Sequence, residues 1–293
     1  MRFTAHTSSR PSVLGTLLLL VLALCGLGGC GKNTKLLEQQ AMAGVDRLLP
    51  LIERDTKQVR DGLPVGAKKI ASLLDTEAGG DLASLQRAIG KARSSVDDLA
   101  FAKSTFFVFV DPQGAVLRSE ADPDLAAGQV LFNAIPETKK LADPKAGLVE
   151  TFGKMSGFRG VQNGPDMQWV VGHPVVDDAG KLKGAFVTGW SLRSYASYLE
   201  EDTRRYLTKS AGDRPKAIPL VYLFLVRGTE AFGAPVTPDV DADAVGKLDL
   251  GPKVKAGPYM TTIEVDGRSF AVAAKACPAL GPDAVIAMLY SEV

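Results

Sequence analysis

Beyond its first thirty residues the chain has one histidine, His173, and one cysteine, Cys277. A zinc site built from His and Cys ligands needs more than that pair. A Ser-His-Asp hydrolase would have to use His173, which sits just before Pro174 in a strand-forming run, and no Gly-x-Ser-x-Gly elbow accompanies it. His173 therefore reads as a structural histidine. Val240-Asp241-Ala242-Asp243 brings two carboxylates close together but lacks the spacing and terminal Glu of a calcium loop, and reads as a solvated acidic turn. No glycine run leads into the Gly-Lys-Ser/Thr that cradles a nucleotide. What remains are groups that bind rather than react. Arg159 offers a two-pronged hydrogen bond to a carboxylate, and Trp169, His173 and Trp190 offer the walls and polar tip of a small-molecule pocket. Alternation puts Trp169, Val171 and His173 on one strand face, and the competing reading of that face is plain core. The expectation is a protein without catalysis, metal or cofactor.

The elements that position these residues follow from periodicity. From Leu36 to Phe101 the pattern is helical, with Leu37, Val45, Leu48, Leu49 and Ile52 at helical spacing. Pro50 predicts a kink or turn, and Asp61-Gly62-Leu63-Pro64 predicts a break before a shorter helix over 65–74. Asp81 reads as the N-cap of a further helix whose apolar face is Leu82, Leu85, Ile89, Val96 and Leu99. At Thr105 the period changes to that of strands. Phe106 to Val110, the turn Asp111-Pro112-Gln113-Gly114 and Ala115 to Ser119 make a hairpin. Residues 121–155 are mixed, with a helix near 134–141. Met167 to Val176 and Leu182 to Trp190 form a second hairpin around Asp177 to Lys181, and a helix follows from Ser191 to about Ser210. After a linker at 212–215 a shorter set of elements repeats the order: strands over 220–226, 231–233, 259–265, 268–276 and 284–290, with a short helix near 242–246.

Location is written at the N-terminus. Arg2 and Arg10 precede an apolar run, Val13 to Leu24, that is too short to span a bilayer comfortably, and small residues then lead into Cys30. Leu27-Gly28-Gly29-Cys30 resembles the lipobox of bacterial lipoproteins. That resemblance implies removal of residues 1–29, a diacylglyceryl group on the Cys30 thiol and acylation of the new amino group. Cys25 leaves with the leader, and Cys277 remains alone, without a disulfide partner. Gly31 after the anchor fits export to an outer membrane, facing the periplasm or the cell surface. The formal charge of +1 becomes −1 once Arg2 and Arg10 are removed. Such a chain, without basic clusters, excludes nucleic acid as a partner, because that affinity depends on neutralising phosphates.

Phe107-Val108-Phe109-Val110-Asp111-Pro112-Gln113-Gly114-Ala115-Val116-Leu117 resembles the opening hairpin of Cache domains, the extracytoplasmic PAS-like sensors of bacterial chemoreceptors and sensor kinases. Gly172-His173-Pro174-Val175-Val176-Asp177-Asp178-Ala179-Gly180-Lys181-Leu182-Lys183-Gly184-Ala185 resembles the second hairpin of that family. The resemblance implies a double Cache layout over roughly 36–293 and an α+β fold in which N-terminal helices precede two PAS/Cache-like antiparallel-sheet lobes. The expected organisation is a lipoprotein signal peptide at 1–29, anchor and spacer at 30–35, a helical segment at 36–104, a membrane-distal lobe at 105–212 and a second, smaller lobe at 213–293. The function expected from it is a lipid-anchored sensor or ligand-binding module, with the membrane, a small molecule and an envelope signalling protein as partners. The alternative is an envelope structural or assembly lipoprotein that uses the same fold as a protein-interaction scaffold. The amino-acid-binding residues of the family do not align one by one, so none is carried over.

Overall fold

The computed structural model describes residues 30–76, 81–156, 166–211 and 219–291. The leader, Arg159 and the linker at 212–215 lie outside the described residues. Helix α1 runs unbroken over Cys30–Thr76, so the expected spacer at 31–35 is helical, and neither Pro50 nor Pro64 ends the helix. This corrects the expected break at 61–64. Each proline removes one i→i−4 hydrogen bond, a loss of about 3 kcal/mol. Against it stands one continuous apolar face: Val45, Leu48, Ile52, Val59, Leu63 and Ile70 are all fully buried. Each such side chain contributes about 1.5–3 kcal/mol on burial. Packing along the whole length therefore outweighs two interior prolines.

Helix α2 (Leu82–Ser94) is capped as expected, with the Asp81 carboxylate accepting from the Ser84 amide at 2.6 Å. It stops short of the expected Val96 and Leu99. Leu99 belongs instead to the separate short helix α3 (Asp97–Ala100), where it is buried. Strands β1 (Phe106–Val110) and β2 (Val116–Ser119) form the first hairpin. Its turn is held by the Asp111 carboxylate, which accepts from the amides of Gln113 and Ala115. Helix α4 (Leu131–Ala134) and a 3-10 helix (Pro136–Ala142) replace the single helix expected there. Strand β3 (Val149–Met155) was not expected. Strands β4 (Asp166–Val176) and β5 (Leu182–Ser191) make the second hairpin, and helix α5 (Leu192–Ala211) follows.

The later part contains β6 (Leu220–Arg227), β7 (Glu230–Gly233), α6 (Asp239–Gly246), α7 (Leu250–Lys255), β8 (Tyr259–Val265), β9 (Arg268–Ala276) and β10 (Ala284–Ser291). The two antiparallel sheets run β2-β1-β5-β4-β3 and β7-β6-β10-β9-β8. The second is the first repeated five strands later, without a repeat in the sequence.

The sheets share one helix. Leu48, Ile52 and Leu63 of α1 lie in a single apolar cluster with Trp169, Phe186 and Trp190 of the first sheet and Ala273, Ile286 and Met288 of the second. Each sheet covers its other face separately: Val108, Val170 and Val187 pack under Leu131, Phe132, Ile135 and Leu141 in the first, and Val272, Val285 and Leu289 pack under Val245, Leu250 and Val254 in the second.

Candidate functional site

The structure brings together two of the four residues expected to line a pocket. Trp169 on β4 and Trp190 on β5 are cross-strand partners on the face turned toward α1. Their rings lie 4.2 Å apart, and Tyr195 and Tyr198 of α5 continue the stack at 4.5 and 5.9 Å. Trp169, Trp190 and Tyr195 are almost completely buried. His173 does not join them. It sits four residues along β4, about 13 Å away at ordinary strand rise. It is half-buried, and its Nδ1 lies 2.8 Å from the Pro174 carbonyl oxygen. Arg159 lies outside the described residues.

Polar groups close the stack rather than open it. The Trp169 indole N–H donates to Glu150 Oε1 at 2.8 Å, and Arg60 grips the same carboxylate through Nε (2.8 Å) and Nη2 (2.6 Å). Arg60 Nη2 also donates to the Ala279 carbonyl at 2.7 Å, and its guanidinium lies 5.8 Å from the Trp169 ring centroid. The hydrogen bonds to Glu150 hold the Arg60 guanidinium in its charged form, above its ordinary pKa. At the other end the Tyr195 hydroxyl donates to buried Asp55 at 2.9 Å, and Arg54 donates to the other oxygen of that carboxylate at 2.8 Å. Burial first, then the Asp55 charge, push the Tyr195 phenol well above its usual pKa, so it remains the donor. The Trp190 indole N–H has no partner among the described residues. Such an arrangement orients and rigidifies; it holds no nucleophile beside a base.

Sequence reasoning missed Asp55, Arg60 and Glu150. Asp55 had a legible signal: it falls in step with Leu48, Ile52 and Val59 on the apolar stripe of α1, where a carboxylate requires a buried partner. Arg60 and Glu150 gave none, because a half-exposed ion pair between a helix and an edge strand looks like any two surface charges.

The outer face of the first sheet, which turns away from α1, is also filled by the protein itself. Glycines make this approach possible: a β-carbon on Gly172 would strike the Leu141 side chain, and one on Gly153 would strike Ile135. The face opens at one end. A cleft of about 470 Å³ lies between the start of β1, the end of β2 and the loop after β2, lined by Arg93, Thr105, Phe106, Glu120, Asp122 and Leu125 among others. Arg93 donates to Glu120 Oε1 at 2.6 Å and lies 5.0 Å from the Phe107 ring centroid. Ser119 Oγ donates to Asp124 at 2.7 Å behind the rim. The cleft thus offers an apolar floor, one guanidinium already in a salt bridge and a carboxylate at the mouth. A small molecule could be seated there against the ring and oriented by the charged groups.

No family model and no curated protein matches the sequence. Solved structures do. The chain resembles methyl-accepting chemotaxis protein X with a TM-score of 0.54 at 14% identity, over 89% of this chain and 100% of that one. It resembles the sensor domain of the V. cholerae histidine kinase DctB with a TM-score of 0.53 at 12% identity, over 89% and 99%. The ligand-binding domain of Mlp24 with asparagine superposes with a TM-score of 0.50 at 14% identity, over 90% and 96%. The fold, a long helix followed by two five-stranded antiparallel sheets, matches that of Cache/PAS-like domains. The α+β architecture of helices followed by two antiparallel sheet lobes, expected from the two hairpin motifs, is the one observed. No described helix is long and apolar enough to cross a membrane.

Proposed function

We propose that this chain is a lipid-tethered, extracytoplasmic binding module of the sensory type that takes up a small molecule without making or breaking bonds. The acyl chains on Cys30 hold it to the membrane, outer membrane included, and the lobes at 105–212 and 213–293 carry the response to an envelope signalling protein. The observation that carries the reading is the cleft of about 470 Å³ beside β1 and β2, lined by Phe106, Arg93 and Glu120 among others. Its size suits an amino acid, a small organic acid or an amine. The Trp169–Trp190 stack is assigned to structure: the Trp169 indole N–H is taken by Glu150 and the Tyr195 hydroxyl by Asp55.

A second reading, an envelope scaffold that binds only protein, is favoured by a specific observation: Phe132, Ile135 and Leu141 already fill the rest of that face. A thermal-shift screen of the full chain in detergent separates the two, using amino acids, organic acids and amines as probes. A ligand at a hundred times its Kd adds about 2.7 kcal/mol, or about 5–10 °C in Tm. Silence across all three classes supports the scaffold.

The tether makes its own prediction through thiol counting. Cys277 is fully buried, and desolvation pushes its thiol up to about 12. The folded membrane-extracted protein is expected to show no reactive thiol at pH 8, and the denatured protein one, that of Cys277. Two thiols after denaturation would mean that Cys30 is free.

A further inference from the structure

We propose that β3 is the coupling strand of the molecule: one side of it belongs to the outer face of the first sheet, and the other side holds the second sheet. The alternation of a strand makes this division possible, since successive side chains leave on opposite faces. On the outer side Val149 and Met155 lie in the apolar cluster of that face, and Gly153 lets the Ile135 side chain seat against the strand. On the inner side Glu150, Phe152 and Lys154 each reach the second sheet or its connections. Glu150 holds Arg60, which binds the Ala279 carbonyl between β9 and β10. Phe152 lies under the Arg227 guanidinium of β6, 3.7 Å from its carbon to the ring centroid. Lys154 pairs with Glu230 of β7 at 2.7 Å.

These links differ in weight. The Lys154–Glu230 pair is half exposed on both sides and contributes little. The Arg227–Phe152 contact is close and half-buried, where a cation on an aromatic face is worth more. Burial depresses the Arg227 pKa, and the ring face offsets part of the water it gives up. The Arg60–Glu150 fork adds direction to this grip. Strand β3 is also an edge strand, paired with β4 alone among the described residues, so it can tilt or slide without opening an interior ladder. A shift of β3 driven from the outer face must therefore displace Arg227, Glu230 and the 278–280 turn, and the reverse holds by thermodynamic reciprocity. The coupling does not depend on the binding proposed above; only the signal it would carry does.

Hydrogen exchange on the full chain in detergent, with no ligand added, tests this. Ile135→Val, with Ile135→Ala as the larger perturbation, touches only the outer face. It is expected to speed exchange about five-fold in 227–233 and 278–284. Phe152→Leu, whose side chain faces away from 131–141, is expected to speed exchange there by a similar factor. Val254→Ala, in the far core of the second sheet, serves as a control for general loosening and is expected to leave 131–141 unchanged. The proposal is overturned if changes stay within the substituted lobe, or if Val254→Ala loosens 131–141 as much as Phe152→Leu does.

Discussion

Trp169→Ala is expected to lose about 3–5 kcal/mol of folding stability, the usual range for removing a fully buried large aromatic. The indole, carried by β4, sits where α1, β3 and the turn at 278–280 meet, so truncation leaves a cavity that those three elements would have to collapse to fill. It also strips Trp190 of one of its two stacking partners and Glu150 of one donor. The effect on Tm is about 6–20 °C for a chain of this size. Trp169→Phe keeps most of the volume and loses the N–H, and it is expected to cost about 1–3 kcal/mol. Denaturation followed by far-UV circular dichroism reads both. If alanine costs less than 1 kcal/mol, the stack is an adaptable pocket wall rather than a strut.

Gly189→Ala is expected to be worse, because what it meets cannot yield. Strand β5 lies at the centre of the first sheet, with Gly189 opposite Phe106 on β1 and Val170 on β4. A β-carbon there would overlap the Trp169 carbonyl oxygen and press on the Phe106 ring at 3.2 Å. The carbonyl belongs to the neighbouring strand's backbone, so relief requires opening the β4–β5 ladder. A loss above about 4 kcal/mol, or no folded protein, is expected. Gly153→Ala gives the contrast. Its β-carbon meets only the Ile135 side chain, and an overpacking cost of about 1–3 kcal/mol is expected. Equal melting temperatures for the two variants would contradict this account of the sheet.

Most of the scaffold was legible in the sequence, and the reason is local chemistry. Asp111 and Asp177 each accept backbone amides two and four residues on, so both hairpin turns are written within five residues. Asp81 announces its helix in the same way. What escaped depends on distant partners. The prolines of α1 read as breaks because the packing that overrides them comes from two sheets more than thirty residues away. Strand β3 was lost because an edge strand that faces an apolar cover on one side and a polar joint on the other shows a weak apolar signal. The site was half legible. The tryptophans were found, but their direction, inward to α1, follows from register and not from type. The cleft beside Arg93 and Glu120 joins α2 to the end of β2, a juxtaposition no local pattern encodes.

Binding belongs to the outer cleft, and the inner aromatic stack is a support. Titration calorimetry with the strongest probe from the thermal-shift screen tests this directly on three full-length proteins. Ala121 lines the cleft between Glu120 and Asp122. Wild type and Trp190→Phe are expected to bind with the same affinity within about two-fold, while Ala121→Trp, which fills the cleft, loses binding at least ten-fold. Affinity that survives Ala121→Trp and collapses in Trp190→Phe would move the site to the inner face and contradict the account.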